Sequence, residues 1–268
     1  MNLAEIFPDE DYRFALRFSR GDAATFFSPT DDHVMLMRQR HHWLQFDPDS
    51  YMALQPEAEP LLQEARQLAN EWTGRRFIAG ASPSQACLAL GEFWEPDFLL
   101  LKLETNGEIR LRGGCVCFPS SWRLSDKLGQ TIELIHGPVP QLNTAIGAGI
   151  HKFLAALKPG QASLRVNWGL ARSAELNQHP DRDLPRLDAA VGLEEVWLRV
   201  EHQALIALPA AKGILFGIRV VNHSLADVKA NAAARAGLHR ALVTMPEAMA
   251  LYKGLAAARR RLLSLLDE

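Results

Sequence analysis

The chain has 268 residues, of which 48% are hydrophobic and 22% charged, with a formal net charge of −2. It is long enough to bury a substantial core as one large domain or two small ones, and its balanced charge gives no reason to expect nucleic acid or an anionic membrane as the main partner. No apolar run approaches the roughly 18–20 residues of a membrane span, and the acidic N-terminus MNLAEIFPDEDYR lacks a basic-then-apolar leader pattern, so the expected location is the cytoplasm.

In chain order, residues 1–30 are rich in Asp, Pro and Phe and are expected to wrap as an irregular arm. The pattern from His33 to Trp43 predicts a helix with Asp31 or Asp32 as N-cap. A second helix is predicted from about Pro60 to Trp72, its apolar stripe formed by Leu61, Leu62, Ala65, Leu68, Ala69 and Trp72 and its end marked by Gly74. The period then changes. Asp97–Glu104 and Ile109–Phe118 flank Thr105-Asn106-Gly107, a hairpin signal. Cys115 and Cys117 fall on one face of the second strand. With only Cys87 besides them there is no four-thiolate zinc set, and all three are expected to be small buried hydrophobes.

The stretch from Gly113 to Pro140 organises the rest. It leaves a strand at Phe118-Pro119, turns through two serines into a short helix, and ends at His136 followed by Gly-Pro-Val-Pro. Pro138 and Pro140 hold the backbone extended, so His136 leaves a rigid loop. A helix from about Gln141 to Leu157 follows, stopped by Lys158-Pro159-Gly160. Next come a strand over Ser163–Leu170 and a polar loop from Ala171 to Leu187. A second hairpin is expected from Glu195–Ala207 and Gly213–Asn222, joined through Leu208–Lys212. A helix starts after Ser224, and a last one is expected from Pro246 to about Leu266, with Arg259–Arg261 on its solvated side. Five strands in antiparallel hairpins among helices predict one α+β domain over 1–268, with a helical arm to about 75, a sheet-containing core over 76–225 and C-terminal helices over 224–268.

The candidate chemistry begins with nine histidines. His41 and His42 are adjacent, so they face different sides of a helix and make a poor metal pair. His151 lies near Gly147 and Ala148, a small-residue face that would admit a flat ligand, or serves as a structural histidine. His136, fixed by prolines, is the stronger candidate ligand, or else a hydrogen-bonding pin of its loop. On the strand after Val196, Trp197, Arg199, Glu201 and Gln203 share one face. That face either lines a polar pocket or carries an exposed ion-pair ladder, and Arg219 on the next strand is expected to pair across with it. Asn167 and Trp168 point to opposite faces, Trp168 toward the core. A G-x-S-x-G elbow, a phosphate-binding glycine loop, a dinucleotide fingerprint and an H-E-x-x-H pair are all absent, and basic residues do not interleave with aromatics as in a nucleic-acid groove.

VCFPSSWRLSDKLG, IHGPVP, RVNWGL, WLRVEHQALIALP, ILFGIRV and MPEAMALYKGL occur in that order. Together, over about Phe14 to Leu255, they resemble the bacterial haem-dependent oxidative N-demethylase-like family. The resemblance implies an antiparallel PAS-like sheet with flanking helices and a haem b held by a histidine. It also implies removal of a methyl group from a small secondary alkylamine such as dimethylamine, using O2 and electrons from an NADPH-dependent flavin/iron–sulfur reductase. Formaldehyde is released, with tetrahydrofolate as its acceptor. By motif position, His136 is the expected iron ligand, Trp168 and Asn167 border the cofactor, and Arg199, Glu201 and Arg219 are expected for propionate pairing, amine recognition or proton delivery. Two departures stand out. His202 replaces an expected arginine, and Val221 an expected aromatic. They leave open a non-catalytic haem- or ligand-binding sensor or carrier, or a structural module with an empty cavity.

Overall fold

Seven strands form one antiparallel sheet in the computed structural model, which describes residues 3–7, 10–74 and 82–268. They are β1 (Ser19–Gly21), β2 (Met52–Leu54), β3 (Asp97–Leu103), β4 (Ile109–Cys115), β5 (Ala162–Ala171), β6 (Trp197–Leu208) and β7 (Gly213–Ser224), in the spatial order β1-β5-β6-β7-β3-β4-β2. The five long strands are those the alternating pattern predicts. The two short ones cap the edges, where unpaired backbone would otherwise be exposed. The β3–β4 hairpin turns at Thr105-Asn106-Gly107, with Gly107 at φ 86.

Strand alternation separates two faces of the β5–β6–β7 unit. The back face is covered by helices. Glu59–Thr73 lies across β3, β6 and β7, burying Leu61, Leu62, Ala65 and Ala69, and ends at Gly74 in the left-handed conformation (φ 64), as the sequence predicts. The C-terminal helices bury Leu238, Leu262 and Leu266 in a second cluster with Leu198 and Val200 of β6. The front face is covered by the segment after β4 and by the N-terminal arm, whose Phe18 stacks on Phe153 at 3.8 Å. The described residues make a single α+β domain, and the expected arm–core boundary near residues 75–76 lies outside them.

One helix lies outside the expected elements and two expected helices are corrected. A helix at Pro83–Gly91, started by a capping box between Ser82 and Gln85, escapes the periodicity because it is apolar nearly all round. The helix after Gln141 begins with a π-helical turn, Asn143–Gly147, before Ala148–Ala155. The expected C-terminal helix is two, Glu247–Tyr252 and Arg259–Asp267, broken at Gly254, whose φ of 69 a side chain would resist. Of the basic run, Arg260 is exposed, whereas Arg259 donates to the carbonyls of Leu242, Val243 and Met245 at the end of helix Ala232–Thr244 and Arg261 to that of Val191.

Candidate functional site

The front face encloses a cavity of about 590 Å³, within the range of small-molecule and cofactor sites. One side is apolar, with Leu99, Leu101, Ile150 and Phe153, and the other carries Arg165, Asn167, Arg199, Glu201 and Gln203 from β5 and β6. These polar residues share a face because β5 and β6 pair with Asn167 opposite Glu201 and Arg165 opposite Gln203.

His136 lines the cavity from the last position of the helix Ile132–His136. The Thr131 hydroxyl starts that helix by accepting from the Leu134 N–H at 3.3 Å. Gly137, Pro138 and Pro140 end it, and the Asn143 side chain donates to Glu133 O at 2.7 Å, tying the π turn to it. Burial, helped by the Arg165 charge and opposed by Glu133, lowers the imidazole below the ordinary histidine range. The ring is therefore neutral at neutral pH, the form that binds a metal. His151 lies elsewhere: its Nε2 is 2.7 Å from the Gly107 carbonyl and donates to it, pinning the β3–β4 turn.

Glu201 accepts from Ser120 Oγ at 2.6 Å, Gln203 Nε2 at 2.9 Å and Asn167 Nδ2 at 3.2 Å, so its carboxylate is held in one place at the cavity wall. Arg199 is buried and saturated. It donates to Ser120 Oγ at 2.8 Å and to the carbonyls of Phe118 at 2.7 Å and Leu176 at 2.8 Å. Burial brings its pKa down to about 10, which still leaves it charged at neutral pH, with Glu201 and Asp97 favouring the charge. Arg199 is thus a clamp on the corner that presents Ser120. Arg165 is different. No hydrogen bond or ion pair joins its guanidinium to a protein group among the described residues, and it lies over the Phe18 ring at 5.9 Å. Burial depresses it too, with Glu201 opposing.

The expectation that Arg219 pairs across with the Glu201 face is overturned. β6 and β7 pair with Arg219 opposite His202, which turns it to the back. There it forms an ion pair with Glu95 and donates to Phe26 O at 2.7 Å and Ser28 O at 3.0 Å, fastening the N-terminal arm. Glu95 also accepts from the Thr30 N–H and hydroxyl and from His33, so Arg219→Leu removes one charge-assisted bond of several and should cost about 1.5–3 kcal/mol in urea unfolding. Trp168 borders the cavity, but its ring packs edge-on against Phe7 at 5.2 Å and Tyr12 at 6.5 Å. His202 and Val221, the two departures, are both on the back face and line no part of the cavity.

Two cavity residues missed by the sequence reading, Tyr252 and Lys253, arrive through the helix break before Gly254. The only signal for them is their place in the MALYKGL motif. Lys253 Nζ donates to Trp168 O at 2.7 Å and lies 5.0 Å from the centre of that residue's ring.

The donor set suits a haem. It offers a neutral imidazole beside an apolar slot, and a half-buried guanidinium that has no ion-pair partner among the described residues and so is open to a propionate. Among the described residues no group of three or more His, Cys, Asp or Glu side chains is placed to hold a metal ion, and no helix is long and apolar enough to cross a membrane. Residues 35–263 match the family model described as haem-dependent oxidative N-demethylase, alpha subunit-like.

Proposed function

We propose that this chain, which belongs to the haem-dependent oxidative N-demethylase alpha-subunit-like family, binds haem b in the front-face cavity through His136 and removes a methyl group from a small secondary alkylamine. Bound haem would supply oxygen activation. The chain's own residues bind and orient. Arg165 takes a propionate, Leu99, Leu101 and Phe153 exclude water from the macrocycle, and Glu201 accepts an N–H from the substrate ammonium, fixed by Ser120, Asn167 and Gln203.

The reaction balances with one oxygen atom leaving as water and the other in formaldehyde, using two electrons and two protons. As the sequence resemblance implies, the electrons come from NADPH through a flavin/iron–sulfur reductase and tetrahydrofolate takes the formaldehyde. The same reading makes the sheet PAS-like, and the order of its five long strands, with the first hairpin beside β7, supports this. The observation that carries the proposal is the meeting, at one cavity with an apolar side, of a neutral imidazole and a guanidinium that has no hydrogen-bond or ion-pair partner among the described residues.

The test is reconstitution with haem, followed by dimethylamine, O2 and reductase-supplied electrons, scored for formaldehyde. Formaldehyde in proportion to amine consumed is expected. A protein that takes up haem and consumes no amine would leave only a sensor or carrier. Glu201→Gln should keep the Soret band and lower kcat/KM for the amine about 10- to 100-fold, the value of a hydrogen bond to a charged group.

A further inference from the structure

Among the described residues Lys253 is the one primary amine that lines both this cavity and a second chamber, and the proposed chemistry does not use it. That chamber, about 410 Å³, lies behind Ser121, Gln178, Tyr252 and Lys253, all of which it shares with the first cavity. Its rim includes Leu251 and Tyr252, 64% and 50% exposed. Lys253 therefore borders both chambers, beside the wall that separates them. The amine has no carboxylate within ion-pair distance among the described residues. Among those residues its one hydrogen-bond partner is the Trp168 carbonyl at 2.7 Å, and an indole face lies 5.0 Å away.

We infer that Lys253 is a reversible covalent site for a small aldehyde leaving the cavity. The inference deepens the demethylase reading, which supplies formaldehyde as the aldehyde. The neutral amine attacks the carbonyl carbon. A C–N bond forms, the C=O π bond breaks, and a proton moves from nitrogen to oxygen to give the carbinolamine. Protonation of its hydroxyl and loss of water leave the iminium, and addition of water returns the amine and the aldehyde. No oxidant or reductant takes part. The carbonyl of Trp168 accepts from the amine at 2.7 Å and holds it in place at the cavity wall.

Desolvation makes the nucleophile available. Burial and the Arg165 charge, against the pull of Glu201, bring Lys253 from 10.5 down to about 8. At pH 8 about half of it is free amine, against roughly one part in 300 for an ordinary lysine. Lys127 also touches the cavity but does not line the second chamber.

The test uses full-length protein, with and without haem, and supplied ¹³C-formaldehyde at pH 8 with cyanoborohydride, so no turnover is needed. Reduction converts the iminium into N-methyl-lysine, located by peptide mass spectrometry. Lys253 should be labelled at least about tenfold faster than Lys102, Lys127, Lys152, Lys158, Lys212 or Lys229, given its free-amine fraction. Lys253→Arg should remove the fast phase, and urea should abolish the selectivity. Labelling in order of exposure, with Lys253 among the slow sites, overturns the inference even if the protein demethylates amines. Fast labelling of a protein that never demethylates overturns only the demethylase reading.

Discussion

His136→Ala should lower haem affinity at least a hundredfold, seen as loss of the Soret band after purification with a haem precursor. Removing a mere outer partner of a metal ligand costs 10–100-fold, so loss of the ligand itself starts at the upper end of that range. The protein should still fold. His136 is half-buried at the end of a five-residue helix, and no side-chain hydrogen bond of its ring holds another element among the described residues. Free imidazole added to His136→Gly should restore the band. His151→Ala is the matched comparison. It removes one hydrogen bond to Gly107 O, worth about 1 kcal/mol of stability, and leaves the spectrum unchanged. A Soret band that survives His136→Ala and disappears with His151→Ala would reverse the assignment.

The pH dependence follows with a definite sign. Protonating an imidazole opposes metal binding, and His136 is held below the ordinary value near 6.5 by burial and by Arg165. Haem occupancy should therefore be full at neutral pH and hold as pH falls to 6.5. It should decline only below that, where a free imidazole is already half charged. The same shift makes the unliganded fold lose stability as pH falls through the unfolded value, because the native state resists a proton that the unfolded chain accepts. Arg165→Leu, which removes the repulsion, should move the decline in occupancy to higher pH.

How much of this was legible from residues alone can be traced position by position. The Leu61–Trp72 stripe, the Thr105-Asn106-Gly107 turn and the shared face of Arg199, Glu201 and Gln203 are local in origin. Periodicity or turn chemistry is enough to place them, and the structure agrees. Arg219 failed for a nonlocal reason. Its face depends on the register across Leu208–Lys212, and a shift of one residue reverses every side chain. In the structure Leu208 meets Gly213, which puts Val220 and not Arg219 opposite Glu201. Lys253 was hidden because Ala248 to Leu255 reads as continuous helix until Gly254 takes a positive φ. The partner of His151, a backbone carbonyl 44 residues away, carries no sequence signal at all.

The largest effect on stability should come from a pair that no motif marks. Arg40 and Asp97 are 0% and 1% exposed, joined at 2.6 Å between Nη1 and Oδ1. Arg40→Met or Asp97→Leu alone should cost about 3–5 kcal/mol in urea unfolding, since each strands the other charge in the core. Many buried pairs can be replaced together by apolar residues at little cost, but not this one. Asp97 also accepts from the N–H groups of Cys117 at 2.7 Å and Phe118 at 2.9 Å, and Arg40 donates to Gly91 O at 2.9 Å and Glu95 O at 3.3 Å. The double variant removes the stranded charge and leaves those four backbone groups unpaired, each at about 1–3 kcal/mol. A double-mutant cycle should thus show strong coupling between the two positions, while the double variant remains at least as unstable as either single one. The consequence reaches the cavity. Asp97 holds the N–H groups of residues 117–118 and Arg199 holds the carbonyls of Phe118 and Pro119, so the corner carrying Ser120 is gripped from both sides. Ser120 bonds Glu201, and loosening the first grip should weaken amine turnover in whatever fraction of the protein stays folded.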